Sequence, residues 1–103
     1  MVLKHKFGAK SCQDDGIKFP SLKERKRYRT LKMLKEQGEV ITFLRQTPFH
    51  LPGGVKYVCD FTVFWKDGNV TFEDVKGFKT PAYKNKKAIV EEIYNPVLIT
   101  EIL

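Results

Sequence analysis

The 103 residues, of which 42% are hydrophobic and 13% aromatic, are enough for one domain with a modest core, and they exclude an intrinsically disordered chain. Nineteen Lys and Arg against 12 Asp and Glu give a formal charge of +7, a balance that favours anionic partners with nucleic acid foremost. Cys12 and Cys59 have neither the close spacing nor the histidine partners of a zinc site, and no run approaches the roughly 18 apolar residues of a membrane span, so a reduced, cytoplasmic protein is expected.

Residues 1–20 carry several lysines, Gly8, Gly16 and the polar run SCQDDG before IKFP. They read as a basic N-terminal arm or short hairpin packed through Ile17 and Phe19, ahead of an organised α/β domain over 21–103. In SLKERKRYRTLKMLKEQG, Ser21 is placed to cap a helix that Gly38 stops. Tyr28, Leu31 and Leu34 form its apolar stripe, and Glu24 lies on or beside that face. Glu24 also stands where a capping box with Ser21 needs a carboxylate, so a structural role and a site role compete for one side chain.

After Gly38, EVITFLRQTPFHL alternates Val40, Thr42 and Leu44 against Ile41, Phe43 and Arg45, with an interruption expected at Pro48. LPGG is a turn by composition. VKYVCDFTVFWKDG then predicts a strand with Tyr57, Cys59, Phe61, Val63 and Trp65 on one face and Val58, Asp60, Thr62 and Phe64 on the other, closing at an Asp67-Gly68 turn. NVTFEDVKG returns as its antiparallel neighbour. Thr80 and Pro81 open a second helix, buried through Tyr83, Ile89, Val90 and Ile93 and stopped by Asn95-Pro96, and VLITEI supplies a last strand. The order is α-β-β-β-α-β, a mixed sheet flanked by helices.

Asp60 interrupts an otherwise apolar strand and needs a partner there, because desolvating a lone carboxylate is costly. A hairpin at Asp67-Gly68 pairs residues whose numbers sum to about 134 or 135, which brings Asp60 near Asp74. Asp74 and Lys76 share a strand face with Phe72, while Glu73 and Val75 point the other way. Two carboxylates and one ammonium in this arrangement suit Mg²⁺ or Mn²⁺ at a phosphodiester, with Lys76 orienting water or countering developing charge. Asp-x-Lys alone is a weak signal, since such pairs are common on solvated strands.

The helix bearing Glu24, the strand bearing Asp60 and the strand bearing Asp74-Val75-Lys76, followed by a helix and a strand, resemble the PD-(D/E)XK nuclease superfamily. YVCDFTVFWKDGNVTFEDVKGFKT resembles more closely a small phage-associated endonuclease-like family in which a strand acid precedes EDVKG. The resemblance spans most of 17–103 and is sharpest over 57–80. It implies a restriction-endonuclease-like core, an active-site quartet of Glu24, Asp60, Asp74 and Lys76 with the three acids as metal ligands, and metal-dependent hydrolysis of DNA in phage recombination or branched-DNA processing. Cys59 stands where the simplest superfamily pattern has proline.

Other residues carry weaker readings. Gln46 either faces the site or holds backbone before Pro48, and His5 and His50 have no ligand pattern. Lys79, Lys84, Lys86 and Lys87 around the second helix, with Arg25 and Lys26 on the first, form candidate phosphate contacts for DNA or a solvated face. Tyr83 is expected to pack rather than stack on a base. Gly77 permits a sharp exit after Lys76 but makes no P-loop, so no nucleotide cofactor is expected. The short chain and its terminal apolar strand favour a homodimer. A noncatalytic nucleic-acid-binding module and a protein-interaction domain on the same fold are the competing functions.

Overall fold

The structure, a computed structural model, describes residues 12–76 and 79–103. His5, the first lysines of the basic arm and Gly77 lie outside them. Within the described part, β1 (Cys12–Asp14) and β2 (Ile17–Phe19) form a hairpin through Asp15 and Gly16, both at positive φ as a tight two-residue turn of this hand requires. Phe19 is fully buried with its ring 5.0 Å from that of Tyr28, which ties the hairpin to the first helix.

That helix, α1 (Leu22–Glu36), starts where Ser21 Oγ accepts the Glu24 N–H at 3.1 Å. It ends in a left-handed Gly38, with the Glu39 N–H returning to the Leu34 carbonyl. β3 (Val40–His50), β4 (Lys56–Trp65), β5 (Val70–Val75) and β6 (Ile99–Ile102) form one sheet in the order β3-β4-β5-β6, antiparallel except for the parallel β5/β6 pair. α2 (Pro81–Ile93), capped by Thr80 Oγ on the Tyr83 N–H, links β5 to β6. The expected mixed α/β sheet flanked by helices is the observed architecture. Among the described residues no helix is long and apolar enough to cross a membrane.

Three expectations need correction. Ile89 and Ile93, expected on the buried side of α2, are 40% and 47% exposed, because Tyr83 and Val90 alone turn the helix toward the sheet. Pro48 does not interrupt β3, which runs on through it: β3 is an edge strand, where a missing N–H need not remove a ladder bond. The apolar residues of β4 also do not share one face. Tyr57 and Cys59 pack in a cluster with Phe49, Tyr83 and Val90 on the α2 side, whereas Phe61 and Val63 pack with Tyr28, Leu31 and Val40 on the α1 side. β3 makes the same switch, with Phe43 against Tyr28 and Phe61 but Phe49 against Tyr57 and Phe72. A regular pleat would keep residues of one parity on one face.

The switch sits at Gln46, whose φ of 56 is left-handed, and at Asp60 across from it. The ladder passes from Arg45/Phe61 to Thr47/Cys59 without pairing the two. Each helix thereby receives an apolar sheet face where it lies, and truncating a fully buried member such as Phe61 to Ala should cost about 3–5 kcal/mol.

Candidate functional site

The β4/β5 ladder runs from Phe64/Val70 to Phe61/Glu73, the register expected from the turn, and stops there. β5 stays in the sheet on its other side, pairing Asp74 with Glu101 and Val75 with Ile102 of β6. Where β4 parts from β5, Asp60 Oδ2 accepts the Val75 N–H at 2.8 Å, so a side-chain oxygen does the work of the missing ladder carbonyl. This finds Asp60 the partner its apolar surroundings demand, and it places the carboxyl against that of Asp74.

Asp74 is almost fully buried. Its Oδ2 accepts a hydrogen bond from Tyr57 Oη, and its Oδ1 lies 3.3 Å from Lys76 Nζ, an ion pair outside hydrogen-bonding geometry that leaves Oδ1 without a hydrogen-bond partner. Burial raises the pKa of Asp60, a shared hydrogen bond with Asp74 raises it further, and the Val75 N–H works in the opposite direction. Tyr57 is held in its neutral, donating form by burial and then by the Asp74 carboxylate. Lys76 Nζ rests 4.6 Å from the centre of the Tyr83 ring, with its side chain 29% exposed at the rim.

Glu24 approaches from α1. Its carboxylate faces the Gln46 amide at 3.4 Å and Arg45 at 3.8 Å. Burial raises its pKa and Arg45 lowers it, with Asp74 raising and Lys76 lowering it from further off. Ser21 caps the helix through the Glu24 backbone N–H, while the Glu24 carboxylate, the group a capping box would use, faces Gln46 and Arg45. Among the described residues no group of three or more His, Cys, Asp or Glu side chains is gathered closely enough to hold a metal ion. The close acidic pair is Asp60 with Asp74.

Glu73 has a different office. It points to the α1 face, where Arg27 holds it through two bonds of 2.7 Å, so the adjacent acids of EDVKG are separated by the sheet. Cys59 is buried with Sγ directed at the Phe61 and Glu73 carbonyls, and burial pushes its thiol up to about 12, which makes it an inert packing group. His50 is exposed at the end of β3.

The basic residues fall into two patches. Lys26 lines a cleft of about 230 Å³ with Arg27, Val75 and Ile102 on the α1 face, and the charge of Arg25 is felt by Asp14 of the hairpin. Lys79, Lys84, Lys86 and Lys87 belong to the α2 side. There Lys79 pairs with Glu101 at 2.8 Å and Lys87 with Glu91 at 3.2 Å. Tyr83 is buried, as expected of a packing residue. Sequence reasoning missed Tyr57, Arg27 and Arg45 as partners of the acids, because each reaches its acid from a different element.

A family profile described as protein of unknown function (DUF1064) matches residues 4–103. The chain belongs to the DUF1064 family. No curated protein matches it. The match takes in all of α1, the sheet and α2, so the DUF1064 domain includes Glu24, Asp60, Asp74 and Lys76 together. Its α-β-β-β-α-β order is consistent with restriction-endonuclease-like folds, a nuclease-like architecture.

Proposed function

We propose that this DUF1064 domain is a metal-dependent DNA endonuclease. The observation that carries the reading is the meeting of Asp60 and Asp74, from two strands that part at that point, with Lys76 ion-paired to Asp74 at the rim. The donor set fits Mg²⁺ or Mn²⁺: two oxygen ligands that repel each other when ionised, one of them with a buried oxygen that has no hydrogen bond. Asp60 and Asp74 would hold the ion, and Glu24, which is not gathered with them closely enough to be a third direct ligand, would reach it through water. The chemistry such an ion supplies when bound is polarisation of the phosphodiester and activation of water.

The protein's own groups do the rest. Lys76, ion-paired with Asp74 beside the Tyr83 ring, keeps a partly exposed ammonium at the rim, where a phosphate oxygen or the attacking water can accept its N–H groups. Tyr57 fixes the Asp74 carboxylate through Oδ2, the oxygen that Lys76 does not face. Lys84 and Lys86 offer phosphate contacts directly, Lys79 and Lys87 by exchanging their carboxylates, and Arg25 and Lys26 from the other face. The family resemblance supports a role in phage recombination or branched-DNA processing. A homodimer would set two such sites on two strands, and a strictly monomeric mass with and without DNA at micromolar concentration would remove that element.

One observation favours a second reading, a noncatalytic nucleic-acid-binding module: both oxygens of Asp74 already face protein partners. The deciding experiment is cleavage of linear, flapped and four-way DNA by wild type and Asp74→Asn with Mg²⁺ or Mn²⁺, alongside a folding check. Cutting by wild type that chelation and Asp74→Asn abolish supports the nuclease. Binding without cutting on any substrate supports the module.

A further inference from the structure

Beside the carboxylate pair, on the α2 side, a cleft of about 380 Å³ is lined by Lys56, Lys76 and Lys86 and by the opening turn of α2. Among the described residues no carboxylate lines it. Lys86 Nζ reaches only the Lys56 carbonyl, at 3.4 Å, and Lys56 has no ion pair among the described residues. Lys79, just ahead of α2, and Lys87 on the helix are neutralised by Glu101 and Glu91, while Lys86, which faces the cleft, has no carboxylate partner among the described residues. Lys76 is ion-paired with Asp74, so the uncompensated charges on this hollow are those of Lys56 and Lys86, which repel each other, and a bound anion relieves the repulsion. The start of α2, with Thr80 and Ala82 on the cleft wall, adds the positive end of a 13-residue helix.

We propose that this cleft is a phosphate-binding subsite, of a size for one nucleotide. Its phosphate lies between Lys56 and Lys86, and Lys76 is shared with the carboxylate site. The ligand chemistry is a nucleotide phosphate, supplied either by the strand flanking the scissile position, which rests on the nucleic-acid reading above, or by a free mononucleotide. Tyr83 supports the floor and does not stack on the base, since its ring is buried beneath Lys76.

The test uses the full chain in chelator, so that binding is scored whether or not the protein cuts. Amide shifts are followed by NMR during titration with inorganic phosphate, a mononucleotide and a single-stranded oligonucleotide. The proposal expects shifts at Ala82 and Lys86, lost in the Lys56→Gln/Lys86→Gln double variant. For that variant the slope of log affinity against log salt on the oligonucleotide should fall by about 0.7, the one phosphate that the two lysines share. The Lys79→Gln/Lys87→Gln variant removes the same charge from the same side and should lower the slope less. Shifts from phosphate and mononucleotide without the oligonucleotide would assign the cleft to a free nucleotide. Equal losses from the two double variants, or no shift at the cleft with any ligand, would overturn the subsite. Because no turnover is measured, neither result depends on whether the protein is a nuclease.

Discussion

Arg27 of α1 and Glu73 of β5 meet through two parallel bonds of 2.7 Å, and Glu73 is 2% exposed. This pair binds the helix to the strand from the face opposite Asp74, and it commits one of two neighbouring acids to structure. Removing only the guanidinium strands a buried carboxylate. Arg27→Ala should therefore lower stability by about 3 kcal/mol in urea denaturation, toward the small end for a broken buried pair because Arg27 is partly solvated. A loss below about 1 kcal/mol would show that water replaces the guanidinium.

Metal binding can be read without turnover. A ligand that binds only the folded protein stabilises it by about 2.7 kcal/mol at 100 times its dissociation constant. Saturating Mn²⁺ should raise the melting temperature of wild type, and Asp60→Asn or Asp74→Asn should remove the increase, whereas Lys76→Ala should retain part of it. An equal increase in all four proteins would place the ion elsewhere.

Gln46 separates backbone from side-chain roles. A non-glycine residue in left-handed conformation costs about 1–2 kcal/mol, which Gln46→Gly relieves while making the unfolded chain looser. The variant should stay within about 1 kcal/mol of wild type. If the amide positions Glu24 for the reaction, cleavage should fall nonetheless. Unchanged turnover in a folded Gln46→Gly protein assigns Gln46 to the strand crossing alone.

The hairpin provides a pH test away from the site. Hydrogen bonds from Lys32 and then Tyr28 hold the Asp15 carboxyl below its ordinary value of 3.8. A carboxylate depressed in the folded state contributes stability above its unfolded pKa and loses it as pH falls through the folded one. Asp15→Asn should thus lower the melting temperature at pH 7, with the difference from wild type closing as the buffer is taken below about pH 3. A difference that persists undiminished in acid would locate the effect in packing.

The elements were legible in the sequence because each rests on local chemistry. Ser21 and Gly38 bound α1 through a cap and a left-handed stop, Thr80 and Pro81 open α2, and the Asp67-Gly68 turn sets a register that places Asp60 near Asp74. The alternation of Glu73 and Asp74 likewise follows from strand geometry alone. Family membership follows from the chain as a string of residues.

What the sequence by itself determined about this protein is therefore the α-β-β-β-α-β order, the hairpin register and the opposite sides of β5 to which Glu73 and Asp74 point. Only the tertiary structure decided that β3 and β4 cross faces together at Gln46 and Asp60, that Arg27 takes Glu73, that Tyr57 takes Asp74, and that Lys56 joins Lys86 in one cleft. Periodicity assumes an unbroken pleat, and a single left-handed residue resets it. The partners of the acids stand 46 and 17 residues away in the chain, so no local pattern could announce them.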